Sequence, residues 1–175
     1  MTEQTAQRRV IVGVDGSPAA QEAVRFAAHE SALRGATVVA VMAVELPDYA
    51  WIDPYAVREH PEAGFLEQAE DRLRAMLAEI GTGGVPVQTV VSTEPAPAAL
   101  VAQSVGADLL VVGSRARGGF RGMLMGSVSL QCVLHAHCPV TVVRPEPGHR
   151  DEPAAERNSG HTLEDARRET TPTFR

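Results

Sequence analysis

Short apolar runs without polar alternation are separated along this chain by segments of helical spacing. The runs predicted as strands 1, 2, 4 and 5 are Val10–Val14, Val38–Val44, Leu109–Val112 and Val140–Val143. Segments predicted as helices begin at Pro18, span Phe65–Ile80 and Ala96–Val105, and begin again at Ser127. A strand with one face in water would alternate apolar and polar residues, so these runs indicate strands covered on both faces. The chain is therefore predicted to be an α/β protein with a parallel sheet.

The remaining strand, Val85–Val91, does alternate and contains Pro86, which suits an edge of the sheet. Right-handed crossovers then give the order 3-2-1-4-5, a Rossmann-like or flavodoxin-like five-stranded parallel sheet with helices on both faces. The chain reverses direction between strands 1 and 4, and ligands of such sheets bind there, outside the carboxyl ends of the strands. Two segments face that crevice: Asp15–Ser17 and the loop that begins at Gly113.

Composition excludes several classes of protein. The net charge of −6 and the pI near 5.5 argue against a nucleic-acid binder, which would show a basic face. All 16 basic residues are Arg, which excludes the P-loop lysine and Schiff-base catalysis. No Ser-His-Asp set and no pair of carboxylates can be recognised in the crevice, so no catalytic residue is assigned and the protein is not predicted to be an enzyme.

The ends of the chain are polar. Residues 1–7 form a predicted flexible N-terminus without the apolar core of a signal peptide, 8–145 the folded domain, and 146–175 a disordered polar tail. No apolar run approaches the roughly 20 residues of a membrane-spanning helix. Two cysteines are too few for a disulfide framework. These features predict a cytoplasmic protein that contacts no membrane.

The segment Gly113–Ser127 carries the strongest functional signal. Its five glycines, at positions 113, 118, 119, 122 and 126, let the backbone approach a ligand and adopt positive φ. Gly126 and Ser127 lie at a helix N-terminus, where free N–H groups favour a phosphate. Three arginines, at 115, 117 and 121, add positive charge. The alternative is a surface loop with solvated arginines and a plain serine cap.

This segment resembles the nucleotide loop of universal stress proteins: Gly, two residues, Gly, nine residues, then Gly and Ser or Thr. Gly113, Gly126 and Ser127 match at the right spacing, while the second glycine position holds Ala116. The opening Gly-Val-Asp-Gly-Ser and the closing His-Cys-Pro-Val-Thr-Val-Val-Arg-Pro are equally typical. The resemblance covers about residues 8–145.

The resemblance implies an ATP site in the crevice, with Asp15 near the ribose or the metal, and Gly13 and Ala43 beside the base. The nucleotide-binding residues that it implies are Gly13, Val14, Asp15, Ala43, Val112, Gly113, Ser114, Arg115, Ala116, Gly118, Gly126, Ser127 and Val128. The implied cofactors are ATP and Mg²⁺, the ion lying near Asp15 and held by the nucleotide rather than by the protein alone. Asp15 has a second interpretation, as a carboxylate that only accepts local N–H groups in its turn.

Two functions follow. In the first, the protein is a nucleotide-dependent stress-response regulator whose ATP affinity is weakened by the methyl group of Ala116. In the second, it is a nucleotide-independent dimeric interaction module. In both, the protein partner is unknown.

A homodimer is expected through the edge Val140–Val143, because an unprotected β-branched edge invites pairing with another chain and family members pair their last strands. The alternative is an edge covered by the C-terminal tail.

Two further clusters are interpreted as structural. A compact set has the residue types of a metal site: Cys132, His135, His137 and Cys138. These residues lie on a helix that must pack on the sheet or lead into a buried strand, and Cys is commonly a small buried hydrophobe. Tyr49, Trp51 and Tyr55 would form a lid over the base in one interpretation and pack on the second helix in the other.

Overall fold

The computed structural model describes residues 7–45, 61–114 and 125–145, with the side chains of 61–63 excepted. Five strands alternate with four helices. In chain order they are β1 (Arg9–Gly13), α1 (Pro18–Arg34), β2 (Thr37–Ala43), α2 (Pro61–Ile80), β3 (Val87–Ser92), α3 (Ala96–Gln103), β4 (Leu109–Gly113), α4 (Ser127–His135) and β5 (Val140–Val143).

The strands form one parallel sheet in the order β3-β2-β1-β4-β5, as the sequence predicts. The central strand β1 pairs with β2 on one side, Ile11 opposite Val39, and with β4 on the other, Ile11 opposite Leu110. The connection after β1 runs toward β2, and the connection after β4 runs the opposite way, toward β5. This divergence opens a crevice at the carboxyl ends of β1 and β4.

Both faces of the sheet are covered, which explains the absence of polar alternation in the strands. On one face, Val10 and Val12 pack in a cluster with Ala23 and Val24 of α1 and Leu73 of α2. On the other face, the cluster comprises Ile11, Val39, Val41, Ala99, Leu100, Leu110, Val112 and Cys132, the last on α4. The alanines of α1 let that helix approach the middle of the sheet closely.

Most predicted bounds are corrected by one to four residues. β2 is Thr37–Ala43 rather than Val38–Val44, α2 begins at Pro61 rather than Phe65, β3 is Val87–Ser92 rather than Val85–Val91 and so begins after Pro86, and β4 extends to Gly113. β1 ends at Gly13 rather than Val14, although the Val14 N–H still donates to the carbonyl of Val41 at 2.9 Å. α3 ends at Gln103 rather than Val105, because the Ser104 Oγ donates to the Val101 carbonyl and the chain then turns through Gly106, at φ 68°.

Some predictions concern residues outside the described part of the chain: the tail 146–175 and the aromatic residues Tyr49, Trp51 and Tyr55. Across 7–45, 61–114 and 125–145, no helix is long and apolar enough to cross a membrane.

Candidate functional site

A cavity of about 120 Å³ opens at the carboxyl ends of β1, β2 and β4, where the strand order reverses. The residues that line it come from the ends of these strands and from α1, α3 and α4. They are Gly13, Val14, Asp15, Ser17, Ala20, Val41, Ala43, Ala96, Leu100, Val112, Gly113, Gly126, Ser127, Val128 and Ser129. Ligand sites typically enclose roughly 300–1,000 Å³, so this cavity accommodates one end of a ligand of nucleotide size.

The inner wall of the cavity is apolar. It is formed by Gly13, Val41, Ala43, Leu100 and Val112, none of which has a polar side chain. A Cβ at Gly13 would lie 3.2 Å from Leu100 Cδ1 and 3.9 Å from Val112 Cγ1. A larger side chain at Gly13 would therefore fill the slot between β1, α3 and β4. A slot of this shape and composition suits a flat, largely apolar group such as a nucleobase.

The turn between β1 and α1 is closed by its own polar groups. The Asp15 Oδ1 accepts the backbone N–H of Ser17 at 2.9 Å, and Gly16 has a φ of 75°, which a residue with a side chain rarely adopts. Ser17 then caps α1, its Oγ accepting the Ala20 N–H at 3.1 Å, and Pro18 contributes no N–H at all. The N-terminus of α1 thus already holds a serine oxygen and a carboxylate.

The N-terminus of α4 is left uncapped. Its cap residue is Gly126, in extended conformation at φ −76° and ψ 161°, and no side chain accepts a hydrogen bond from the first turn. The first N–H groups of a helix have no intrahelical acceptor, and those of Ser127 and Val128 have no acceptor among the described residues. The helix dipole adds partial positive charge there. Of the two helices, α4 is therefore the better anion site.

Gly113 is required by packing. A Cβ at this position would lie 2.8 Å from the Ala19 carbonyl carbon and 2.9 Å from Ala19 Cβ, distances that real side chains do not tolerate. Neither Gly113 nor Gly126 has a positive φ. The expectation that these glycines adopt positive φ is therefore wrong for the two that are described, because the chain passes both in ordinary extended conformation.

A set of short hydrogen bonds holds the two ends of the 115–124 segment together. The Ser114 N–H donates to the Val143 carbonyl of β5 at 2.7 Å, and the Ser114 carbonyl accepts the Gly126 N–H at 2.7 Å. The Ser129 Oγ donates to the Gly113 carbonyl at 2.6 Å. The start of α4 is consequently fixed against the end of β4.

Charge at the cavity is sparse. Among the described lining residues, Asp15 is the sole ionisable side chain, and it is exposed. Cys132 lies behind the cavity wall, fully buried, and burial raises the pKa of its thiol to about 11. Within the described ranges, no three His, Cys, Asp or Glu side chains are grouped as metal ligands.

The structure brings most of the predicted site residues together. Nine of them line the cavity: Gly13, Val14, Asp15, Ala43, Val112, Gly113, Gly126, Ser127 and Val128. Ser114 does not line it but is buried beside it, with its backbone engaged as described. Arg115, Ala116 and Gly118 lie outside the described residues.

Six lining residues were not predicted from the sequence: Ser17, Ala20, Val41, Ala96, Leu100 and Ser129. Val41 lies two positions before Ala43 on the same strand face, a signal that was present in the sequence. Leu100 and Ala96 reach the cavity only through the packing of α3, which no local pattern reveals.

The sequence resembles that of known proteins over most of its length. The sequence profile described as the universal stress protein family matches residues 7–144. A universal stress protein of Mycolicibacterium smegmatis is 39% identical over 143 residues, which is 78% of this chain but 45% of the relative. The chain thus spans about half the length of that relative.

Two solved structures share the fold. A universal stress protein from Lactobacillus plantarum superposes with a TM-score of 0.59 at 25% identity, covering 78% of this chain and 97% of that one. A universal stress protein crystallised in complex with cAMP gives 0.51 at 29% identity, covering 81% and 99%. On the profile match and the shared fold, this chain belongs to the universal stress protein family.

Proposed function

We propose that this protein binds an adenine nucleotide, ATP with Mg²⁺, at the carboxyl edge of its sheet and acts as a nucleotide-dependent stress-response regulator. The observation that carries the proposal is the meeting, in one cavity, of an apolar slot and the uncapped N-terminus of α4. The cAMP bound to a related universal stress protein supports the chemical class of the ligand.

The base occupies the apolar slot, between Gly13 and Leu100 on one side and Val41 and Ala43 on the other. Gly13 and Leu100 pack closely enough to form one wall of the slot, since a Cβ at Gly13 would lie 3.2 Å from Leu100 Cδ1. Burial of a ring against aliphatic groups contributes about 25 cal/mol for each Å² of apolar surface removed from water.

The phosphates bind at α4, where the N–H groups of Ser127 and Val128 point out of the first turn. The N-terminus of α1 is less suitable, because Asp15 and Ser17 already accept the N–H groups of Ser17 and Ala20 and Asp15 brings negative charge. The orientation of the ligand follows: base toward β2, phosphates toward α4.

Mg²⁺ fits this site only as part of the bound nucleotide. Asp15 is the sole carboxylate among the described lining residues, and magnesium is commonly held by one or two carboxylates together with substrate phosphates. The ion would neutralise phosphate charge near Asp15. Asp15 is the sole ionisable side chain among the described lining residues, and its Oδ1 already accepts the Ser17 N–H, so no general base is assigned. ATP turnover below about 1 s⁻¹ is expected, and the protein acts by binding.

Assembly as a homodimer through Val140–Val143 belongs to the proposal, since β5 is an edge of the sheet that the described strands form. The site lies beside that edge, because Val143 accepts the Ser114 N–H. Ligand occupancy is then presented to a protein partner on the assembled surface. We place the protein in the cytoplasm, a reducing compartment consistent with its two free cysteines.

The second candidate function is a nucleotide-independent dimeric interaction module, and Ala116 favours it, because the family loop has glycine at that position. The two candidates are separated by whether the purified protein releases an adenine nucleotide on heating, and by calorimetry with ATP and Mg²⁺.

The test of the proposal is titration of the protein and two glycine-to-valine variants. Gly126→Val fills the space in front of the α4 N–H groups and should abolish ATP binding, while its φ of −76° is one that valine adopts. Gly64→Val is the matched control. Gly64 lies on α2 and does not line the cavity, and a Cβ added there would have no heavy atom within 4 Å.

Gly64→Val should bind ATP as the parent does. Absence of heat with the parent protein at millimolar ATP and Mg²⁺ would contradict nucleotide binding and favour the interaction module. Equal binding by Gly126→Val and the parent would place the phosphates elsewhere.

A further inference from the structure

The peptide group that joins Gly113 to Ser114 is hydrogen-bonded on both of its sides. Its N–H, on Ser114, donates to the Val143 carbonyl of β5 at 2.7 Å. Its carbonyl, on Gly113, lies trans to that N–H in the same plane, so it points away from β5, toward the β1 side of β4. On that side it accepts the hydroxyl of Ser129 at 2.6 Å. A side chain of α4 thus donates a hydrogen bond of the kind that a neighbouring strand donates elsewhere in the sheet.

Ser129 takes this position because β1 has already ended at this level of the sheet. β1 ends at Gly13, and the next N–H of the chain, on Val14, donates to the Val41 carbonyl of β2 at 2.9 Å. A buried carbonyl without a donor is unfavourable, and Ser129, 3% exposed, supplies the donor from the helix instead. The end of the central strand therefore makes the sheet depend on a serine of α4.

The start of α4 is attached to β4 at two points, one helical turn apart. The Gly126 N–H donates to the Ser114 carbonyl at 2.7 Å, and the Ser129 hydroxyl donates to the Gly113 carbonyl. Three residues advance an α-helix by about 4.5 Å and return to nearly the same face. Two attachments with that spacing fix the direction of the helix axis, whereas the bond of Gly126 alone would leave the helix free to pivot. Ser129 therefore sets the direction of the first turn.

The N–H groups of that first turn are the ones proposed to bind the phosphates. The first backbone hydrogen bond of the helix is donated by Leu130 to the Gly126 carbonyl at 3.0 Å, and the earlier N–H groups of Ser127 and Val128 have no acceptor among the described residues. Hydrogen bonds weaken as they depart from linearity, and the helix dipole acts only near the first turn. Phosphate affinity therefore depends on the direction in which α4 points.

We propose that Ser129 is a positioning residue of the nucleotide site, whose hydroxyl holds α4 in the direction at which Ser127 and Val128 donate to the phosphates. The inference rests on the proposed nucleotide site and adds the residue that orients it. Ser129 lines the cavity, but its hydroxyl hydrogen is already held by Gly113, so it acts through the helix and not as a donor to the ligand. The apolar slot for the base contains no residue of α4 and does not depend on this bond.

The experiment titrates ATP and Mg²⁺ into full-length variants by calorimetry. Ser129→Ala should raise the dissociation constant of ATP about tenfold, the effect expected when an anion loses its alignment with a helix N-terminus. Ser129→Thr keeps the hydroxyl and should bind ATP within about threefold of the parent. Circular dichroism establishes that each variant is folded.

The matched control is Ser104→Ala. The Ser104 hydroxyl is also buried and also donates to a backbone carbonyl at 2.6 Å, that of Val101, and its oxygen accepts the His137 N–H at 2.9 Å. Ser104 does not line the cavity. Its loss should lower stability at least as much as that of Ser129, because two hydrogen bonds are removed, and it should leave the dissociation constant of ATP within about twofold of the parent.

Amide NMR signals provide a measurement that a loss of stability alone would not change. At saturating ATP, the signals of Ser127 and Val128 and those of Gly13 and Ala43 in the slot should all shift in the parent. In Ser129→Ala the shifts of Ser127 and Val128 should shrink, while those of the two slot residues persist, because the base still binds and the phosphates are no longer aligned with α4.

The outcomes separate this inference from the proposed function. If Ser129→Ala binds ATP as tightly as the parent and keeps the α4 shifts, the nucleotide site stands and the role of Ser129 is overturned. Equal weakening by Ser104→Ala, or by Ser129→Thr, would assign the effect to stability or packing and also overturn that role. A parent that binds no ATP would overturn both the proposed function and this inference.

Discussion

A single methyl group added at Gly113 is expected to destabilise the whole domain, although the resemblance to the family loop would assign this glycine to the ligand. In Gly113→Ala, the new Cβ would lie 2.8 Å from the Ala19 carbonyl carbon, 2.9 Å from its Cβ and 3.0 Å from its oxygen. Carbon atoms in contact are normally about 3.5–4.0 Å apart. The start of α1 and the end of β4 must therefore separate by roughly 0.7 Å.

The cost of that separation follows from close packing. Both partners are backbone or Cβ atoms of packed elements, so no side-chain rotation relieves the overlap, and overpacking of this kind costs about 1–3 kcal/mol. For a domain of this size each kcal/mol lowers the melting temperature by roughly 2–4 °C, so we expect a decrease of about 2–12 °C. The assay is thermal and urea unfolding followed by circular dichroism.

The matched variant is Gly126→Ser, at the last glycine of the same motif. Gly126 has φ −76° and ψ 161°, nearly the values of Ser17, −73° and 157°, whose hydroxyl caps α1. A serine at 126 should cap α4 in the same way, raising stability by a few tenths of a kcal/mol and lowering nucleotide affinity by competing for the N–H groups. The packing argument would be refuted if the free energy of unfolding of Gly113→Ala lay within about 0.5 kcal/mol of that of the parent. It would also be refuted if Gly126→Ser lost as much stability as Gly113→Ala.

Two further predictions concern cysteine reactivity and the loop. Burial raises the pKa of the Cys132 thiol to about 11, and burial together with Asp108 raises the pKa of Cys138. At pH 8 both thiols therefore stay protonated and should react with a thiol reagent far more slowly in the folded protein than in urea. Labelling of Cys132 at the rate of the unfolded protein would contradict this prediction. Ala116→Gly restores the family glycine and should tighten ATP binding about tenfold, because a methyl group at a position that needs positive φ costs about 1–2 kcal/mol. If calorimetry shows an unchanged ATP affinity, Ala116 is not what weakens binding.

The fold could be predicted almost completely because its determinants are local and redundant. Four strands without polar alternation demand two covered faces, and the alternating third strand with Pro86 beside it demands an edge. Only some helix ends could be predicted from local residues. The ends of α1 follow from the conformations of Ser17, Pro18 and Gly35, whereas α3 ends where the Ser104 hydroxyl donates a hydrogen bond to the Val101 carbonyl of the same helix.

The site was predictable only where a motif marks it. Asp15, Gly113 and Gly126 stand at strand and helix ends, so topology alone brings them to one crevice. Leu100 contributes through the angle at which α3 packs on β1 and β2, a long-range property that no residue pattern encodes. The packing role of Gly113 could not be predicted for the same reason. The residue that leaves no room for a Cβ there is Ala19, which is 94 residues earlier in the chain.

The two backbone groups of Ser114 have a thermodynamic consequence for the whole protein. The Ser114 N–H donates to Val143 of the edge strand and the Ser114 carbonyl accepts the Gly126 N–H at the start of α4, so a single residue joins the proposed dimer edge to the proposed phosphate site. A ligand that displaces Ser114 changes the edge, and a partner strand that displaces it changes the ligand site. By linkage, whatever factor the nucleotide applies to the dimer constant, the dimer must apply to the nucleotide constant.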